Sequence, residues 1–199
     1  VETWDDASGI TLTLVEDSSN SYGDIRFIKN DLDGAAGIAL PPGYFSDELD
    51  GTVLIDGYSS AANFGDAYFT ALITHEVGHA LGLGHTHDMN TPPVGEDSSM
   101  NAVMSYKEFY NDGYFYEWQE INDYGISNSA TPFYPETPMS FDIEAIQYLY
   151  GVGSVNPGDD TYTFIDDGHL MKSIFDTGGF DTLDLSNFDS VGLINLGSW

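Results

Sequence analysis

The sequence predicts an α+β fold, a twisted mixed sheet with one long helix carrying the site, followed by a small β-rich segment. Three features lead there. Short apolar or alternating runs recur before residue 57, a helix-length pattern runs from about Asn63 or Asp66 to Leu81, and after Gly151 the composition turns to Asp, Gly and Thr around short apolar runs. The shift at Gly151 divides the chain into residues 1–151 and a smaller unit at residues 152–199. A chain of 199 residues can bury one good core and such a second unit.

Each element has a local reason. Val1 to Trp4 reads as the tail of a helix, and Ile10 to Val15 alternates with period two as a strand does. Asp24 to Ile28 is the second strand candidate. Gly37, Ile38, Ala39 and Leu40 form the third, which is short, small-residued and closed by Pro41 and Pro42, all features of an edge strand. Thr52 to Asp56 completes the sheet. In the long helix, Phe69, Leu72, Ile73, Val77 and Ala80 form the expected buried stripe, and Asp66 suits the positive end of the dipole. Met139 to Gly151 is a second helix, with Ser140 as cap, Asp142 and Glu144 in its first turn, Ile143, Ile146 and Leu149 facing inward, and Gly151 at its end. Beyond it, Tyr162 to Ile165, Leu170 to Phe175, Thr182 to Leu185 and Val191 to Leu196 are short strand candidates.

Charge narrows the function classes. Four basic residues against thirty-three acidic ones give a net charge of −29, which repels nucleic acid and anionic membrane surfaces. Such acidity suits clustered carboxylates for calcium, or a solvated surface screened by salt. With no cysteine, neither a disulfide framework nor a thiolate metal site is available. No apolar run approaches the length of a membrane span, and no signal peptide is legible at Val1, as expected of a mature or trimmed form.

The chemistry concentrates in His75-Glu76-Val77-Gly78-His79-Ala80-Leu81-Gly82-Leu83-Gly84-His85. Histidines four apart leave the same face of a helix, so His75 and His79 can share one ion. Gly82 can take the positive-φ turn that reverses the chain and brings up His85. Three nitrogen donors then surround one tetrahedral metal with the fourth position open to water, which Glu76 can reach instead of the ion. His87 and His169 read as surface or loop histidines, although His87 and Asp88 lie close enough to His85 to support it from behind.

This spacing resembles the zinc endopeptidases called metzincins at every fixed position of their helix motif. Ser99 to Tyr106 resembles the methionine turn beneath their metal, with Met104 chosen over Met100 because Tyr106 stands two residues after it. Phe141 to Gly151 is similar to the segment closing the serralysin catalytic domain. That resemblance implies a metzincin-like fold, with Glu76 as general acid/base and Tyr106 as a hydrogen-bond donor to the oxyanion that can also bind zinc. It implies that substrate pairs as an added strand with the edge at Gly37, Ile38, Ala39 and Leu40. The aromatic stretch from Tyr106 to Pro138 then reads as a wall of the substrate pocket or as a lid on the helix below.

The same resemblance implies calcium. Serralysins continue into a calcium-binding β-roll, and the matching positions here are Asn156, Gly158 and Asp160 in one turn and Asp176, Gly178, Gly179 and Asp181 in another. This chain departs from the pattern, since no tandem nonapeptide follows Gly178 to Asp184 before Trp199. The expected protein is a secreted, extracellular, monomeric zinc endopeptidase that also binds calcium and acts on proteins or peptides. The alternative is a secreted calcium-binding adhesion or scaffold protein whose metzincin unit is silent.

Overall fold

Residues 2–16, 18, 21–57, 65–88, 96–107, 114–118, 128–165, 170–189 and 192–196 are described by the computed structural model. A one-turn helix α1 (Glu2–Asp5) precedes a three-stranded mixed sheet of β1 (Arg26–Asn30), β2 (Gly37–Ala39) and β3 (Thr52–Asp56). β3 is central, parallel to β1 and antiparallel to β2, with Ile38 opposite Leu54. The central strand is the most buried of the three, as its position between two partners requires. β2 lies at an edge, in keeping with its small residues and its closing prolines.

The long helix α2 (Gly65–Ala80) follows. Its buried side is Ala71, Thr74, His75, Val77, Gly78 and Ala80, so the core face is rotated toward the histidines. Phe69, expected inside, is 46% exposed, because it stands near the start of α2 while the core gathers at its end. Trp4, Ala7, Val77, Leu81, Leu83, Val103, Met104, Ile143 and Ile146 make up the core, which gathers around the last two turns of α2. α1 is held to this core by Trp4, whose indole N–H donates to the Thr74 carbonyl.

Ile10 to Val15 forms no strand. Ile10 and Leu12 do pack on the core while Thr11 and Thr13 face outward, which is the alternation read from the sequence, but no neighbouring strand among the described residues offers a ladder. The Leu12 N–H donates instead to the Asp5 carboxylate at 3.0 Å.

β4 (Tyr114–Trp118) and β5 (Asn128–Pro132) pair antiparallel, so part of the aromatic stretch is a hairpin. Phe109, Tyr110 and Tyr124 of that stretch lie outside the described residues. Tyr134 packs edge-on against Tyr68 of α2, with ring centroids 5.2 Å apart.

α3 (Ser140–Tyr150) begins one residue later than expected, and its cap is Met139 instead of Ser140. The Met139 N–H is taken by the Asp142 carboxylate at 2.8 Å, and the Ser140 hydroxyl turns away to the Asn101 carbonyl. Ile143 and Ile146 are buried as expected; Leu149 is half exposed because the inward face has drifted past it by the last turn. Two long-range bonds fasten α3, from the Gln147 amide to the Ala7 carbonyl and from the Tyr150 hydroxyl to the Leu81 carbonyl, both 2.8 Å.

After Gly151 a parallel pair, β6 (Thr161–Thr163) and β7 (Thr182–Asp184), sets Thr161 opposite Thr182. Leu170 to Phe175 is not a strand, because the Thr137 hydroxyl accepts from the Ser173 N–H where a ladder carbonyl would have done so. Residues 192–196 form no strand either, and Val191 lies outside the described residues. A mixed α/β arrangement of small sheets around one long helix is compatible with a metzincin-like fold.

Candidate metal centre

The geometry starts at the end of α2. Gly82 takes φ +99°, its N–H reaches the His79 carbonyl, and the Leu83 N–H reaches the Gly78 carbonyl, both at 2.9 Å. That pair of bonds is a Schellman motif, which satisfies the last carbonyls and turns the chain back beneath the helix. His85 is thereby delivered to the face from which His75 and His79 project.

Each ring is oriented by a bond at its outer nitrogen. Nδ1 of His75 meets the Val103 carbonyl and Nδ1 of His79 meets the Leu83 carbonyl, both at 2.8 Å, while Nδ1 of His85 faces the Asp88 carboxylate at 3.2 Å. Carbonyls and carboxylates only accept, so each Nδ1 carries a proton, which in the neutral ring leaves the lone pair on Nε2. The Nε2 atoms converge, His79 lying 3.1 Å from His75 and 3.0 Å from His85. Burial lowers the His75 pKa to about 4 and also lowers that of His79, so both rings stay neutral at pH 7.

Three lone pairs aimed at one point repel unless a cation stands there. A tetrahedral zinc with nitrogens at about 2.0–2.1 Å would space them about 3.3 Å apart, close to what the rings adopt. These three histidines could hold a metal ion, and the donor set fits zinc.

Glu76 is buried beside them. Burial raises its pKa to about 7, against a hydrogen bond from the Ala39 N–H. Room for its carboxylate comes from Gly37, where a Cβ would stand 2.6 Å from Oε1. Tyr106 is exposed, with its ring 4.3 Å from that of His85 and 5.4 Å from that of His75. Burial of its hydroxyl, and then the charges of Glu76 and Asp88, raise the tyrosine pKa.

Met104 is fully buried below the helix, and its Sδ would lie 2.5 Å from a Cβ at Gly78. His87 stacks on His85 at 5.0 Å, and its partner Asp88 is 3.7 Å away. His169 lies outside the described residues.

The β2 edge is more selective than the sequence suggested. The Leu40 N–H bonds the Thr52 carbonyl and the Leu40 carbonyl bonds the Gly51 N–H, so its backbone is spent within the sheet. Alternation turns Ile38 the same way and leaves Gly37 and Ala39 facing outward.

The Peptidase M66 family model matches residues 43–119, which span the stretch from the sheet to past Tyr106. Metallopeptidase AprA of Pseudomonas marginalis is 31% identical over 98% of the chain, and Serralysin A of Dickeya chrysanthemi is 31% identical over 98%. Serralysin of Proteus mirabilis is 32% identical over 79%.

The chain is a relative of the serralysins. It spans less than half the length of those proteins, covering 44%, 43% and 34% of them respectively.

The C-terminal segment of this serralysin relative brings its two Asp/Gly turns together. One carboxylate oxygen from each of Asp160, Asp176 and Asp181 lies within 4.8 Å of the others. A Cβ at Gly179 would collide with the Gly158 carbonyl, so only glycine permits that approach. Gly178 sits at φ +158° and donates to Asp176 at 2.8 Å. Asn156 joins indirectly, through the Tyr162 hydroxyl that it shares with Asp176.

Four residues to which the sequence assigned no part in these sites shape them. Trp4 backs α2, Tyr162 bridges Asn156 and Asp176, and Asp142 gathers the backbone N–H groups of Val103, Met104 and Met139 beneath the histidines. Asp97 is buried between the loop after His85 and the turn at Tyr106. Only Asp142 had a local signal, as an acid in the first turn of a helix, and that signal pointed to the dipole.

Proposed function

We propose that residues 1–151 are the catalytic unit of a secreted zinc endopeptidase acting on extracellular proteins or peptides as a monomer. The observation that carries this reading is the convergence of the His75, His79 and His85 Nε2 lone pairs, each fixed by an acceptor behind it. Bound zinc would supply Lewis acidity, acidifying a water and polarising a peptide carbonyl.

The chain's own groups do the rest. Glu76, with a carboxyl raised to about 7, removes a proton from the attacking water and passes it to the leaving amine. The Tyr106 hydroxyl donates to the developing oxyanion. Gly37 and Ala39 offer outward backbone groups to an extended substrate, once the Ala39 N–H is released from Glu76.

The test is cleavage of casein or a fluorogenic peptide, abolished by a zinc chelator and restored by zinc. Glu76→Gln should bind one zinc and lose turnover by about 10³-fold or more, since only the proton shuttle is removed. His79→Ala should lose the metal itself. Substantial turnover in Glu76→Gln, or tight zinc in His79→Ala, sinks the assignment.

In residues 152–199 we propose a calcium-binding segment. Asp160, Asp176 and Asp181, with the turns at Asn156, Gly158, Gly178 and Gly179, supply the hard oxygen donors that calcium prefers.

A further inference from the structure

The loop carrying His85 and the turn carrying Tyr106 come from separate parts of the chain, and their backbones barely hold each other. The Thr86 N–H reaches the Met104 carbonyl at 3.4 Å. A side chain supplies the stronger tie. Asp97 is 7% exposed, and its Oδ1 accepts from the Thr86 hydroxyl at 2.5 Å and the Ser105 hydroxyl at 2.7 Å. Its Oδ2 is paired with the Lys107 ammonium at 2.8 Å. Thr86 directly follows His85, and Ser105 and Lys107 stand on either side of Tyr106.

The turn is closed on itself as well, through Ser99 N–H to the Lys107 carbonyl at 2.7 Å and Lys107 N–H to the Ser105 hydroxyl at 3.0 Å. A carboxylate withdrawn from water is costly unless met by donors and a counter-charge, so the two hydroxyls, the ammonium and the acid hold one another. Burial raises this carboxyl, and the donors from Lys107, Thr86 and Ser105 more than reverse that, leaving it ionised with a pKa of about 2. Zinc binding by the three histidines makes no use of Asp97, yet among the described residues it is the buried acid that touches both flanks of Tyr106 and the neighbour of His85.

We propose that Asp97 is a positioning residue whose carboxylate clamps the His85 loop to the Tyr106 turn, holding the tyrosine ring at its working distance from the histidines. The proposal rests on the peptidase reading of this site for its kinetic effect. Tyr106 is exposed and, among the described residues, its ring meets only the rings of His75, His85 and His87, at 4.3 to 5.4 Å, so its aim depends on the backbone to either side. Asp97 fastens both sides.

Asp97→Asn is the informative variant, because its carbonyl can still accept from Thr86 and Ser105 while its amide opposes the Lys107 ammonium. Lys107→Met breaks the same ion pair from the exposed end. With zinc saturating, each variant should retain its fold and lower kcat about tenfold with KM within about threefold, the pattern of a lost transition-state contact. In a Tyr106→Phe background the same changes should lower kcat by less than about twofold, because the hydroxyl being aimed is gone.

Equal losses in both backgrounds would make Asp97 a plain structural residue and overturn the proposal. Unchanged kcat in Asp97→Asn would overturn it too. The cobalt-substituted protein gives a readout without turnover, in which Asp97→Asn should alter the visible bands of the native protein and leave those of Tyr106→Phe unaltered. Identical bands in Asp97→Asn and native protein refute the clamp. A wild type that binds zinc and cleaves nothing would refute the peptidase reading alone, and the cobalt spectra would still decide the clamp.

Discussion

Gly78 packs on the core within the turn of α2 that carries His75 and His79. A Cβ there would meet Met104 Sδ at 2.5 Å and the Trp4 ring at 3.1 Å, and both neighbours are fully buried. Gly78→Ala should therefore destabilise the protein even though alanine is the better helix former by about 1 kcal/mol, because overpacking a rigid core costs roughly 1–3 kcal/mol. A melting temperature equal to or above that of the parent would show that Met104 yields freely. The glycine was legible in the sequence only as a member of a spacing, while the reason for it lies in two residues far from it along the chain. The histidines were legible for a physical cause, since a separation of four on a helix fixes direction without help from the rest of the chain. Asp97 was not, being one acid in a chain of thirty-three acidic residues, with its partners Thr86, Ser105 and Lys107 well away from it on either side.

Among the elements, α3 shows how a helix start can serve a turn far from it. Asp142 accepts from Met139 at 2.8 Å, as an acid at that position does, and also from Val103 at 2.6 Å and Met104 at 3.4 Å. Val103 in turn presents its carbonyl to His75, so the chain of support runs from α3 through the turn to the metal-facing ring. Burial raises the Asp142 pKa to about 7, with the three N–H donors pulling the other way. Its folded pKa exceeds the unfolded value of about 3.9, so the folded state holds the proton more tightly, and the group's contribution to stability falls as pH rises from about 4 to about 7. Urea unfolding across that range should show a steeper decline for the native protein than for Asp142→Asn, which cannot ionise. Parallel curves would mean that Asp142 is ionised in the fold. Helix α3 itself was plain from its apolar spacing and Gly151, and β2 from its prolines. Ile10 to Val15 failed as a strand because alternation specifies which side chains face the core and says nothing of whether a partner strand exists.

At the scale of the whole molecule, a net charge of −29 with only four basic residues to offset it makes the surface repel itself. Repulsion of that size is only partly screened at about 0.15 M salt, so the melting temperature should climb between low salt and molar NaCl. A flat response would refute the idea that the surface repels itself. Calcium should add a separate effect confined to the C-terminal turns. With a calcium-selective chelator, residues after Gly151 should become protease-sensitive before the rest, and calcium should reverse this where magnesium at matched ionic strength does not. Equal protection by magnesium would reduce the effect to screening. The scarcity of cations has one more consequence. Arg26, Lys29, Lys107 and Lys172 are all that trypsin can recognise in this sequence, and two of them sit in ion pairs, Lys107 with Asp97 at 2.8 Å and Lys172 with Glu136 at 2.9 Å. The protein is thus nearly invisible to a protease that digests most chains, and a tryptic cut after Lys107 becomes a direct signal that the tie beside Tyr106 has opened.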